Sequence, residues 1–270
     1  MVFGAWRRWR DDAAAARRAI PDDLWKRTLV RYPFLRLHDP ALAADLRRQT
    51  SLFLDRKEFS AAGGLRLNDA MVVAIAAQAV LPVLRLGLSH YDGFVGIVVH
   101  PDQVLARREH TDEHGIVHEY EESLAGEALE GGPVMLSWRD VRAAGTGPSS
   151  GPAAYNVVIH EFVHVLDMAD GSVNGVPPLP ADISPSDWLA TLTSGLRRFE
   201  TLLAATSGTD LAPSVLDPYG AESLDEFFPV ASEAFFTQPQ ALKSEQPELY
   251  GLFVRYFCQD PASQVSRSVR

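Results

Sequence analysis

Two histidines and a glutamate within residues 157–170 have the spacing found at zinc sites that hydrolyse bonds. His160, Glu161 and His164 stand in the order His-Glu-Phe-Val-His. On a helix, residues four apart share a face, so both imidazoles would point the same way and could bind one zinc ion at about 2.0–2.1 Å. Glu161 would lie about 100° around the helix, where its carboxylate could take a proton from the attacking water.

Apolar residues surround this motif, so its helix should be buried. Residues 157–159 are Val-Val-Ile, and Phe162 and Val163 lie between the histidines. Buried polar groups need hydrogen-bond partners or a ligand. The alternative is a helical core protein in which both histidines are hydrogen-bonded and no metal binds, and such a protein would hold no zinc after purification.

Two aspartates follow the motif. We expect Asp167 to accept a hydrogen bond from a ligand histidine, and Asp170, with Gly171 after it, to end the helix. One metalloprotease pattern has a glycine and a third histidine at these two positions, so the chain departs from that branch. A ligand role for Asp170 remains a minority alternative.

A catalytic zinc usually has three protein ligands and one open position, so one more ligand is needed. Residues 221–236 are the expected source. They are helical in character if the helix starts near residues 224–227, which leaves Pro229 close to its first turn. Four carboxylates are candidates: Glu222, Asp225, Glu226 and Glu233. They could instead form a solvated acidic face, although neighbouring phenylalanines make this less plausible for Glu226 and Glu233.

The sequence pattern around these residues predicts an α+β fold with a mostly helical N-terminal part, a small mixed sheet and the His-Glu-x-x-His helix. Helical spacing and capping residues predict helices over residues 40–54, 67–88, 184–205 and 224–236. Alternation and β-branched residues predict strands over residues 94–100, 116–120 and 133–138. Residues 107–115 and 145–152 are predicted loops.

Three further histidines, His110, His114 and His118, are spaced four apart in a polar stretch. The surrounding residues do not favour a helix, and in a strand His114 and His118 would lie about 13 Å apart. We therefore expect solvent-exposed histidines, with a second metal site as the alternative.

Composition narrows the class of protein. The net charge of −10 argues against a nucleic-acid-binding surface, and the apolar run after Asn68 is too short to span a bilayer. The single cysteine, Cys258, cannot form an intrachain disulfide and is compatible with the cytoplasm. We expect a lead-in at residues 1–20 that could be disordered, one domain over residues 21–262 and a tail at residues 263–270.

The chain resembles the Mlc titration factor A family of bacterial zinc peptidases over roughly residues 65–261. The resemblance is carried by residues 91–94, 132–138, 158–167, 174–177, 217–219, 226–236 and 256–261. It implies a zincin-type fold related in its catalytic part to anthrax lethal factor, with one zinc ion per chain. It also implies that Glu226 is the third ligand and that the active-site tyrosine is Tyr219. The family is similar to aminopeptidases in activity and is named for binding the sugar-uptake repressor Mlc.

The prediction is therefore a cytoplasmic, aminopeptidase-like zinc peptidase that acts on a peptide or protein. His160, His164 and Glu226 would bind zinc, and Glu161 would act as general base and then as general acid. The strand at residues 134–138 is the predicted edge for pairing with substrate. A different class is the alternative: a zinc-containing regulatory protein that sequesters a transcriptional repressor, with peptidase activity minor or absent.

Overall fold

Helices form most of the fold and surround a small sheet. The computed structural model describes residues 11–111, 117–144, 154–206 and 214–265. Its helices are α1 (Asp22–Arg31), α2 (Pro40–Arg56), α3 (Asp69–Val83), α4 (Trp138–Ala143), α5 (Val157–Asp167), α6 (Pro185–Thr206), α7 (Leu224–Thr237), α8 (Pro239–Glu245), α9 (Pro247–Phe257) and α10 (Pro261–Val265). Its strands are β1 (Glu58–Ala61), β2 (Gly96–His100), β3 (Val104–Thr111), β4 (Val117–Leu124), β5 (Gly126–Ala128) and β6 (Val134–Ser137). The prediction of an α+β fold is confirmed.

The main sheet has the strand order β1-β2-β6-β5. Strands β1, β2 and β6 are parallel, and β5 is antiparallel to β6. Because β6 has a neighbour on each side, the prediction that residues 134–138 form the edge for substrate is wrong. Strand β5 is the edge on that side, and its three residues are too few to show a strand pattern in the sequence.

Strands β3 and β4 form a separate antiparallel hairpin. Residues 107–111 were predicted as part of a loop but belong to β3, so the prediction is wrong for them. Backbone hydrogen bonds hold an antiparallel ladder together, and they do not require an apolar side-chain pattern that the sequence would show. His110 and His118 are paired across the hairpin, whereas His114 lies outside the described residues. The exposure of these histidines stays a prediction, and so does the loop at residues 145–152, outside the described part.

Helix α3 is the centre of the core and confirms the predicted core helix. The Asn68 side chain caps it by accepting a hydrogen bond from Met71 N at 3.1 Å. The helix is buried on nearly all sides, and it packs against α2 and α5. Small alanines along it allow these neighbours to approach closely. Pro82 lies one residue before the end of the helix.

Aromatic side chains hold α5 and α7 in place from behind. The Phe162 ring of α5 lies 5.1 Å from the Tyr91 ring and 5.7 Å from the Phe53 ring. On α7, Phe228 contacts Trp188 of α6 at 5.3 Å and Phe253 of α9 at 5.7 Å. Aromatic pairs in such edge-to-face or tilted arrangements contribute about 0.5–1.5 kcal/mol each beyond their buried area, so both helices are anchored against the core.

The beginning of the described chain packs on the same core. Residues 11–17 are helical, and Ala14 is buried in the core cluster. Arg48 of α2 pairs with Asp12 at 2.7 Å. The division into a lead-in, one domain and a tail stays a prediction. In the described ranges, no helix is both long and apolar enough to cross a membrane.

Candidate metal centre

The N-terminal end of α5 is tied to α3 by a buried asparagine. Asn156 Oδ1 caps α5 by accepting from Ile159 N at 3.0 Å, and Asn156 Nδ2 donates to Gln78 Oε1 on α3 at 2.9 Å. Gln78 in turn donates to the Ala74 carbonyl at 3.0 Å. This network sets the position of α5 along its axis, and with it the position of the histidine pair.

Three ligand atoms from α5 and α7 converge at one point. His160 Nε2 lies 3.1 Å from His164 Nε2 and 3.1 Å from Glu226 Oε2, and His164 Nε2 lies 3.3 Å from the same oxygen. Ligands at about 2.0–2.1 Å on a tetrahedral zinc ion would be roughly 3.3 Å apart. The donor set of two imidazoles and one carboxylate therefore fits zinc in both chemistry and spacing.

Glu226 reaches this point because α7 begins just before it. Ser223 Oγ caps the helix by accepting from Glu226 N at 3.3 Å, which places the carboxylate in the first turn. Of the candidate carboxylates, only Glu226 joins the two histidines in a metal-binding group among the described residues; Asp170, Glu222 and Asp225 do not.

Glu233 lies two turns further along α7 and holds His160 from behind. His160 Nδ1 donates to Glu233 Oε1 at 2.8 Å, and the backbone N–H of Asn156 donates to Glu233 Oε2. Because Nδ1 is held by Glu233, Nε2 is the nitrogen that faces Glu226 and His164, and loss of the Nε2 proton would give the tautomer that binds a metal. The sequence showed that Glu226 and Glu233 share a face, but it did not distinguish a ligand from a residue that orients a ligand.

Buried charges shift the protonation of the site. Burial alone would lower the pKa of His160, but hydrogen bonds to Glu226 and Glu233 outweigh it and raise that pKa well above its usual range. Burial would raise the pKa of Glu226, yet hydrogen bonds from both imidazoles lower it. For Glu161, burial dominates and raises the pKa. A carboxyl with a raised pKa is suited to exchange a proton during a reaction.

Strand β5 passes directly over Glu161. The Glu161 side chain is 5% exposed, and a Cβ atom placed on Gly126 would lie 2.4 Å from Glu161 Oε1. Only a glycine at this position allows the strand to approach so closely. The edge strand and the proposed general base therefore lie against each other.

Asp167 accepts no hydrogen bond from His160 or His164, so that prediction is wrong. Its Oδ2 accepts hydrogen bonds from the backbone of Asn174 at 2.9 Å and Gly175 at 2.8 Å, because the chain reverses directly after α5. Asp170 closes the following turn: its Oδ1 accepts from Ser172 N at 3.0 Å, and Gly171 adopts the left-handed conformation. This agrees with the interpretation that Asp170 ends the helix.

Tyr219 lies beside the histidine pair. It belongs to a short 3₁₀ turn, Pro218–Ala221, whose first turn is capped by Asp217. The centroid of its ring is 6.0 Å from that of His160, and 39% of the residue is exposed. This turn packs closely on α7, the helix that carries Glu226, so the positions of Tyr219 and Glu226 depend on each other.

The chain is similar to known proteins over most of its length. The model of the glucose-regulated metallo-peptidase M90 family matches residues 5–258. A protein of Synechocystis sp., slr2042, is 32% identical over 258 residues, which cover 95% of this chain and 90% of the relative. Mlc titration factor A of Serratia proteamaculans is 35% identical over 79% of each chain, and that of Yersinia pestis is 31% identical over 80% of this chain and 77% of its own.

Proposed function

Because the chain belongs to the glucose-regulated metallo-peptidase M90 family, we propose that it is a zinc-dependent peptidase with His160, His164 and Glu226 as the metal ligands. The resemblance to Mlc titration factor A is confirmed by relatives of that name. The observation that carries the proposal is the group of three ligand atoms within 3.3 Å of one another. We further propose a zincin-type fold and one zinc ion per chain.

Each residue around the proposed ligands has a separate role in hydrolysis. Zinc, when bound, polarises the scissile carbonyl and lowers the pKa of water to about 7. Glu161, which is buried beside the ligands, takes a proton from the attacking water and passes it to the leaving amine. Tyr219 donates a hydrogen bond to the oxygen that becomes negatively charged. Glu233 keeps His160 in the correct tautomer throughout.

An extended peptide would pair with strand β5. This strand is at the end of the sheet order, and its Gly126 lies against Glu161. Pairing by added β-strand would bring a peptide carbonyl next to the general base without any side-chain recognition. The resemblance to the Mlc titration factor A family implies an aminopeptidase-like preference, which we include in the proposal.

The proposal is tested by separating metal binding from catalysis. We expect Glu161→Gln to keep its zinc, measured by metal analysis of the purified protein, and to lose peptide hydrolysis. His160→Ala should lose the zinc itself. Full hydrolysis by zinc-loaded Glu161→Gln would show that the mechanism is wrong, and a wild-type protein without affinity for zinc would favour the helical core protein without metal.

A regulatory function is the second candidate, and the name of the relatives supports it. Mlc titration factor A is named for a partner, so this chain could bind a sugar-uptake transcriptional repressor, which would place it in the cytoplasm. The comparison to make is repressor binding by Glu161→Gln against hydrolysis by the wild type. Binding that survives the loss of hydrolysis would show that the two properties are separate.

A further inference from the structure

A cavity of about 370 Å³ opens beside the C-terminal half of α5. It lies between that helix, the chain that leaves β5 and the segment before β2. Its apolar lining includes Phe94, Leu129, Val134, Val165, Met168 and Pro178. Leu129 and Ala169 are exposed, so the mouth of the cavity is at the surface.

The cavity and the proposed general base both lie where α5 faces β5 and the chain that follows it. Val165 follows Glu161 by four residues on the same face of α5, and Met168 follows it by seven, in the 3₁₀ turn that continues the helix. At 1.5 Å per residue they are about 6 and 10.5 Å further along its axis. On the other side, Leu129 follows β5 directly, and the first residue of that strand, Gly126, lies against Glu161. A peptide lying along β5 would therefore pass both Glu161 and the cavity.

We propose that this cavity binds one bulky apolar side chain of the substrate, from a residue within three positions of the scissile bond. The inference rests on the proposed peptidase function. An extended peptide advances about 3.3 Å per residue, so two to three residues cover the distance from Glu161 to the cavity. Side-chain pockets of this kind decide which peptides are hydrolysed, because the backbone pairing along β5 is the same for all of them.

The charges at the cavity select against acidic side chains. The lining residues that the structure describes include no lysine or arginine. Burial lowers the pKa of His90, which disfavours the charged form of its imidazole. Glu130 lies exposed at the cavity and would repel a second carboxylate. The side chain that fits is a neutral apolar one, such as leucine or phenylalanine.

The experiment uses binding rather than turnover. The zinc-loaded Glu161→Gln protein is mixed with fluorescent peptides that carry alanine, leucine or phenylalanine at one of the three positions on either side of the expected bond. Fluorescence anisotropy gives each dissociation constant. We expect one position at which phenylalanine or leucine binds at least about 10-fold more tightly than alanine, as apolar pockets usually discriminate.

Variants of the cavity then show where this discrimination arises. Ala169→Trp, at the exposed mouth, should reduce the ratio towards one, whereas Ala190→Trp, equally exposed but on α6 outside the lining, should leave it unchanged. Met168→Ala enlarges the cavity and should shift the preference towards larger side chains. If thermal unfolding shows that Ala169→Trp does not fold, the Met168→Ala variant tests the proposal in its place.

Two results would overturn the proposal: equal affinity for alanine and phenylalanine at all positions, or a ratio that folded cavity variants leave unchanged. Hydrolysis by the wild-type protein is measured separately. A protein that discriminates between these peptides but hydrolyses none would overturn the peptidase function and keep the binding site.

Discussion

At the scale of single residues, the orienting role that we propose for Glu233 depends on both of its oxygens. One accepts from His160 Nδ1 and the other from the backbone of Asn156. The residue is 2% exposed, so water cannot replace either hydrogen bond. Its position two turns after Glu226 couples the orientation of a ligand to the start of α5.

We therefore expect Glu233→Gln to weaken zinc binding by about 10–100-fold. An amide has one acceptor oxygen for two donors, so one buried N–H stays unsatisfied, and the free energy of unfolding should also fall by about 1–3 kcal/mol. Competition with a metal indicator and thermal unfolding measure the two effects. Glu248→Gln, an exposed carboxylate on α9, is the control. Wild-type zinc affinity in Glu233→Gln would contradict the orienting role.

Tyr219 is predicted to act on the reaction and not on the metal. Removing one hydrogen-bond donor to a developing oxyanion costs about 10²–10³ in kcat, and we expect a loss of this size for Tyr219→Phe with unchanged zinc content. Tyr250→Phe is the control, because this tyrosine lies on α9 and its hydroxyl donates to Asp260 Oδ1 at 2.6 Å. Equal effects of the two substitutions on kcat would exclude the specific role of Tyr219.

At the scale of elements, the helices agree with the sequence better than the strands do. Capping residues such as Asn68 and Ser184 accept hydrogen bonds from backbone N–H groups three residues later, so these helix starts could be predicted from the sequence. The short strands β1 and β5 were not predicted, because three or four residues carry no recognisable period. The edge of the sheet was assigned to the wrong strand for this reason.

The close approach of β5 to Glu161 at Gly126 can be tested by substitution of that glycine. In Gly126→Ala, the new methyl group must displace Glu161 or the strand, since it would lie 2.4 Å from the carboxylate. A displacement of about 1 Å at a reacting group can cost 10²-fold in rate, and we expect a loss of this order in kcat while zinc stays bound.

The control for this substitution is Gly251→Ala on α9, where nothing lies within 4 Å of the added Cβ. It should keep full activity and gain up to about 1 kcal/mol in stability, as expected for alanine in a helix. Wild-type kcat in Gly126→Ala would mean that β5 does not constrain Glu161.

At the scale of the whole molecule, the proposed metal ligands join two helices that are distant in the chain. A metal ion that binds only the folded protein stabilises it by mass action, by about 2.7 kcal/mol when its concentration is 100 times the dissociation constant. For a protein of this size we expect zinc to raise Tm by roughly 5–10 °C, and a chelator to reverse the shift. His160→Ala should show no zinc-dependent shift in calorimetry. An unchanged Tm in the wild type would contradict a site assembled from α5 and α7.

The sequence by itself determined that His160, Glu161 and His164 occupy one buried helix, because a spacing of four residues and an apolar flank are local properties of the chain. Only the tertiary structure decided which carboxylate completes the group. Glu226 comes 62 residues after His164. Helix spacing left Glu222, Asp225, Glu226 and Glu233 as candidates, the family resemblance implied Glu226, and the packing of α7 on α5 brings Glu226 to the two histidines. The roles of Glu233, Asp167 and β5 were decided in the same way. Such contacts depend on the combined packing of many residues that are distant in the chain, and this packing cannot be predicted from any short stretch of sequence.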